Sequence, residues 1–332
     1  MKQKGFTILE FLISMFIGFL ILGGVIATYV SMKATTRDTM AIGELQETGR
    51  LTLSILRRDI EQIGFWGTFY EAEFSVDNTT SVANPDPDCF GGLNNGSFPD
   101  KTPTNFRPIF AEVSDGNKML DCIDDSKEET NVIQLKFLEG RQVTPDPVEK
   151  KNNENRYYFI AEQEKAQFIS GVNVNNALPT VNATLWPYSH HVYYINEQDI
   201  TINNRRIIVP VLMRKRLTVK GGLTTEPIME GIEDIRMVFG IDSDADNKVD
   251  TYRSTQDMTT ELWENTDGIL TVQVFLLVRS LEADADLELK SQTYTLGLDD
   301  DKRVHTFTDK YRRTVFTTTI RLNNVGSTAW RM

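Results

Sequence analysis

Gly5, Phe6 and Glu10 combine a small-residue junction with a lone carboxylate in apolar surroundings. Lys2 and Lys4 precede them, and from Phe6 to Val30 the chain runs 25 residues with Glu10 as the only charged one. As a helix this stretch extends about 37 Å, enough to cross a bilayer core of about 30 Å. An ionisable group at membrane depth is costly, so it needs a partner and has a task. A plain anchor has no use for Glu10. A secretory signal peptide has a shorter apolar core with a small-residue cleavage site after it. Here Ala27-Thr28-Tyr29 is a poor site and the run is too long. The alternative is cleavage before the run, between Gly5 and Phe6. The apolar segment then stays on the mature chain, and its new amine lies about one helical turn from Glu10.

A second set of oxygens stands at Asp242, Asp244, Asp246 and Asp250. Carboxylates at alternating positions can converge on one hard cation, as at the start of a calcium loop. The match is partial. Asn247 replaces the turn glycine, and Arg253 stands where a bidentate Glu is needed. Asp257 or Glu261 would have to close the shell. Two readings stand here: a weak Ca²⁺ site, and a solvated acidic turn between strands.

The elements that carry these groups follow from periodicity. The helical pattern of the apolar run continues to about Gly64. Ile42, Leu45, Thr52, Ile55, Leu56, Ile60 and Ile63 form a mostly apolar face that Thr48 and Gly49 interrupt. Gly64 and Gly67 stop the helix. Residues 75–105 and 144–155 are rich in Asn, Asp, Pro and Gly and read as loops. Strands are expected at Asn131–Leu138, Arg156–Ala161, His191–Ile195, Arg206–Leu212, Leu217–Lys220, Ile232–Ile241, Ile269–Val278 and Thr314–Leu322. The class is α+β, a long N-terminal helix followed by antiparallel sheet with large loop insertions.

The order basic, Gly5, Phe6, Thr7, Glu10, apolar helix resembles the type IV prepilin signature over the first 30 residues or so. A second block resembles the C-terminal region of PilW-type minor pilins. It runs from Met229 to Arg253 and holds Glu-Gly-Ile-Glu-Asp-Ile, a strand, Gly-Ile-Asp and the acidic loop. Leu277-Val278-Arg279-Ser280 and the stretch from Tyr311 to Ile320 fit it too. Residues 70–225 carry no family signal. The resemblance implies a prepilin peptidase that cuts after Gly5 and methylates the amine of Phe6. It implies a cytoplasmic leader at 1–5, a span at 6–30, an amphipathic continuation at 31–64 and a periplasmic head at 65–332. Lys2 and Lys4 on the cytoplasmic side agree with that orientation. In such pilins the glutamate is thought to pair with the Phe amine of a neighbouring subunit, which assigns Glu10 to assembly. The implied partners are the peptidase, other minor pilins, the major pilin, the inner membrane and a large tip adhesin. Two other readings share this N-terminal chemistry. One is a J-like pseudopilin of type II secretion; the other is an adhesive or calcium-dependent binding module displayed on a pilin stem.

Composition narrows the field. The 332 residues carry a formal charge of −12, which leaves no electrostatic footprint for nucleic acid. Cys89 and Cys122 are the only cysteines, and with the head outside the cytoplasm they are expected to pair. Of the three histidines, His190 and His191 are adjacent. In a strand they face opposite sides and are poorly placed to share a metal. No Gly-x-Ser-x-Gly, phosphate loop or Cys-x-x-Cys occurs, so catalysis has no support. Arg205, Arg206, Arg214, Lys215 and Arg216 form a local basic patch, read as a solvated strand face.

Overall fold

The structure, a computed structural model, describes residues 5–325 except 6, 72, 93, 101–103, 145–153, 175–177, 203, 285–286, 288 and 299–300. Packing divides the chain into two compact units, Met1–Glu47 and Thr48–Met332, and the division falls inside one continuous helix, α1 (Ile8–Ile60). In the first unit the N-terminal part of α1 is apolar and bare, while Leu45, near the unit's end, is buried. Phe11, Leu12, Phe16, Leu20 and Val25 are all exposed, and the stretch is long and apolar enough to cross a membrane. Ile42 is exposed as well.

In the second unit α1 buries a narrow seam formed by Gly49, Thr52, Leu56, Ile60 and Ile63, while Ile55 is only half-buried. Gly49 does not interrupt this seam as the sequence pattern implied. It belongs to it, because a Cβ there would run into the ring of Phe316. The helix stops at Ile60, and a turn leads to Gly64 at φ +81°, a conformation that favours glycine. Asn324 Nδ2 donates to the carbonyls of Glu61 (3.1 Å) and Ile63 (3.3 Å), satisfying groups that the helix end leaves open.

The head holds an eight-stranded sheet, a four-stranded sheet and a two-stranded hairpin. The first comprises β1 (Thr79–Thr80), β2 (Ile109–Val113), β3 (Asn131–Leu138), β4 (Tyr157–Ala161), β5 (Ala166–Ser170), β6 (Thr184–Ile202), β7 (Arg205–Thr218) and β8 (Gly222–Glu230). Its order is β1-β5-β4-β6-β3-β2, with β7 between β6 and β8. The long β6 makes this possible: Thr184–Tyr188 pairs with β4, and His191–Ile202 pairs with β7. Tyr188–Tyr193 pairs with β3. All pairings are antiparallel except β1 with β5.

The second sheet runs β10 (Thr251–Ser254), β9 (Ile232–Ile241), β11 (Ile269–Arg279), β14 (Arg313–Arg321), all antiparallel. Every residue of β3 and β9 is buried, so both faces of these strands are covered. The hairpin β12 (Gln292–Leu298) and β13 (Asp301–Phe307) supplies Leu296, Tyr294 and Phe307 to a cluster with Val238, Phe275 and Leu277. A short helix, α2 (Thr260–Glu264), precedes β11 and is N-capped by Thr259, whose side chain accepts from Leu262 N.

The α+β class stands. The sequence pattern undercounted the strands: β1, β2, β5, β10, β8, which contains Pro227, and the β12–β13 hairpin were not expected. It also placed a strand at Leu217–Lys220, where the chain leaves β7 and turns towards β8. The main core is aromatic: Phe159 and Phe168 meet at 4.8 Å between ring centroids, Phe168 and Tyr188 at 4.9 Å, Phe98 and Tyr157 at 5.0 Å. The loop between α1 and β2 is fixed onto this core by the Cys89–Cys122 disulfide, with Cα atoms 5.0 Å apart. It is held further by buried polar groups. Gln134 Nε2 donates to the carbonyls of Cys89 and Asn95, and Lys136 Nζ to Asn95 Oδ1 and the carbonyl of Arg107. Burial holds the Lys136 amine well below the usual lysine range.

Candidate functional site

The N-terminal site is built by local chemistry. Thr7 is the N-cap of α1 and Glu10 its third residue, the arrangement of a capping box. Glu10 Oε2 accepts from the Thr7 backbone N–H (3.0 Å) and from Thr7 Oγ1 (2.9 Å), while Glu10 N–H donates to Thr7 Oγ1 (3.3 Å). Among the described residues the Glu10 carboxylate has no other partner, and it is fully exposed in the first turn of a bare apolar helix. A negative charge there also complements the partial positive charge of the helix N-terminus. Gly5 is exposed in extended chain ahead of the helix. Phe6, like Lys2 and Lys4, lies outside the described residues.

The acidic loop follows β9 and folds around Asp242, which is 5% exposed. Asp242 Oδ1 accepts from the backbone N–H of Asp244 (3.2 Å) and Ala245 (2.8 Å), and Oδ2 from that of Asn247 (2.7 Å). Asp250 Oδ2 accepts from Ser243 N–H at 2.7 Å, which draws the far end of the loop back. Asn247 sits at φ +63°, the backbone state for which a turn glycine would be chosen and which Asn tolerates. Oxygens of Asp242, Asp244 and Asp250 lie within 4.8 Å of one another. Asp246 is turned to Lys248 Nζ at 2.5 Å instead, and Asp257 accepts from Ser254 Oγ. Glu261 lies on α2. The loop thus assembles three hard-oxygen ligands, while a calcium ion takes six to eight oxygens.

A third constellation was not visible in the helical pattern. Asp59, on the buried seam of α1, is 2% exposed. His191 Nδ1 lies 2.6 Å from Asp59 Oδ2, and Tyr193 OH donates to the same oxygen at 2.6 Å. Arg214 donates to Tyr193 OH and is itself held by Glu226. Burial pushes the Asp59 carboxyl up, but the bonds from His191 and Tyr193 and the charges of His191 and Arg214 outweigh it, so its pKa is lowered. The signal for this joint is a carboxylate one residue from Ile60 and three from Leu56 on a helix face, opposite an alternating His-Val-Tyr strand.

The two adjacent histidines do face opposite sides. His191 meets Asp59, whereas His190 lies between Ser97 Oγ (2.8 Å) and Gln134 Nε2 (2.9 Å). Ser97 Oγ donates to Asp88 Oδ1 rather than waiting on a base, and Ser97 and His190 are both 0% exposed. This group lies in the core, away from solvent. The basic patch is answered by cross-strand acids: Arg206 by Asp199, Arg214 and Arg216 by Glu226.

A long helix that is apolar at its N-terminal end and carries a cap-bound glutamate, followed by an antiparallel sheet head, defines a type IV pilin-like protein. Comparison with known families agrees: residues 1–26 match the Prokaryotic N-terminal methylation motif. Residues 192–324, from the middle of β6 past the end of β14, match the Type IV Pilus-assembly protein W family. Over these two stretches, then, the chain is similar to a PilW-family type IV pilin. No curated protein and no solved structure matches it.

Proposed function

We propose that this chain is a minor pilin that helps to prime type IV pilus assembly and takes a place in the complex at the pilus tip. Prepilin peptidase cuts between Gly5 and Phe6 and methylates the new amine. The chain then waits in the inner membrane with its head in the periplasm. The observation that carries this reading is Glu10, a carboxylate within an apolar span whose partner among the described residues is its own Thr7. Docking beside the amine of a neighbouring pilin relieves the cost of that charge in lipid, so subunits add in order. The size of the head supports a tip position, because a second unit running from Thr48 to Met332 would crowd helical packing in a shaft. The partners are other minor pilins, the major pilin and a large tip adhesin.

A count of surface pili by electron microscopy, in a strain lacking only this chain, tests the proposal. Loss of pili, restored by the intact gene, is the expected result. Normal pili would overturn it in favour of a type II secretion pseudopilin or a displayed binding module. The acidic loop supports one addition, a weak Ca²⁺ site on Asp242, Asp244 and Asp250, because their oxygens are already gathered.

A further inference from the structure

Beyond the end of α1, the head contains a cleft of about 330 Å³ that neither the N-terminal chemistry nor the acidic loop uses. Trp66, Phe74 and Phe106 form its apolar wall. These rings are fixed: Trp66 and Phe74 meet edge to face at 4.8 Å, and Phe74 and Phe106 at 5.7 Å. Carboxylates line the rest, Glu73 on one side and Glu261, Glu264 and Asp267 on the other, from α2 and the turn after it. Glu264 is bound by Arg107 Nη2 at 3.0 Å. Among the described residues Glu73 is met by a neutral amide, Asn105 Nδ2, and Glu261 is exposed, so the described lining keeps an excess of negative charge.

A bare metal ion does not match this arrangement. Among the described residues, the one acidic group whose oxygens all lie within 4.8 Å of one another is Asp242, Asp244 and Asp250, so the cleft carboxylates do not converge on a point. A cation with an apolar stem does match. Its methylenes lie along aromatic wall, and its head reaches separated carboxylates. The ring of Phe106 already packs against an amine on its other face, Lys136 Nζ, 4.8 Å from the centroid. We propose that this cleft receives a lysine or arginine side chain from a partner polypeptide.

The test is calorimetric titration of the full chain in detergent micelles with an amidated Lys-Gly-Lys-Gly-Lys peptide. The same peptide with acetylated lysines serves as its neutral counterpart. Glu73→Gln with Glu261→Gln removes two exposed charges from the cleft. Asp124→Asn with Glu230→Gln removes two exposed charges from elsewhere. Saturable binding is expected, weakened about tenfold in the cleft variant, retained in the charge-matched control and absent for the acetylated peptide. No saturable binding, equal weakening in both variants, or undiminished binding of the acetylated peptide each overturns the proposal. So does saturable binding of a neutral oligosaccharide that the cleft variant abolishes, which would make this a glycan site.

Discussion

Two carboxylates on the same helix have opposite fates. Asp59 is buried, its Oδ2 shared by His191 and Tyr193, with Arg214 one bond further out. Glu10 is exposed on an apolar helix, and what holds it is the cap of its own first turn. A charge satisfied by distant parts of its own chain fixes a fold. A charge that reaches no further than its neighbour three residues away remains available to another subunit. The same side-chain chemistry therefore serves as structure at one end of α1 and, on the proposed function, as an assembly device at the other.

Substitution at Glu10 tests this contrast most severely. Glu10→Ala is expected to abolish incorporation into pili while cleavage after Gly5 continues, as read by a mobility shift and by immunoblots of sheared fibres. Normal incorporation would end the pairing argument. Asp59→Ala is expected to do the reverse: processing and membrane insertion persist, and the head loses about 3 kcal/mol, because His191, Tyr193 and Arg214 lose the charge they surround. Denaturant unfolding of the full chain in micelles measures it.

Acid sharpens the comparison. The Asp59 pKa lies below its usual 3.8 in the folded head, so its stabilisation is fully present above that value. It is lost as pH falls through the lower folded-state pKa. The wild type should therefore lose stability more steeply below pH 3.8 than Asp59→Asn does, and parallel curves would remove Asp59 from the acid response. The smallest effect is expected from Thr7→Ala. It removes the cap and costs the start of α1 about 1 kcal/mol, yet leaves Glu10 to pair with a neighbour. Incorporation should fall only modestly, and a loss as complete as that of Glu10→Ala would mean that the cap itself is the assembly determinant.

Legibility in the sequence followed the range of the interactions. The apolar run and the strands at Asn131–Leu138, Ile232–Ile241 and Ile269–Val278 are local patterns, and they predict what the structure contains. The pairing of Cys89 with Cys122 needed no geometry, since only two cysteines exist. The acidic loop was half legible. Alternation of Asp242, Asp244 and Asp246 marked it, but Lys248 draws Asp246 away while Asp250 folds back to join the other two.

What the sequence could not determine are the roles of residues whose partners lie far along the chain. Gly49 looks like a helix defect until the ring of Phe316 is seen against it. Lys136 and His190 look like surface residues of a strand until β3 is covered on both faces and the stapled loop supplies Asn95 and Ser97. Arg214 looks like part of a basic patch until β8 brings Glu226 beside it. By itself the sequence determined an apolar helix with one charge in it, because helix periodicity and membrane cost are properties of neighbouring residues. Only the tertiary structure decided which polar groups are buried and satisfied, because a hydrogen bond between residues 132 positions apart, as from His191 to Asp59, exists only once the sheet has been laid against the helix.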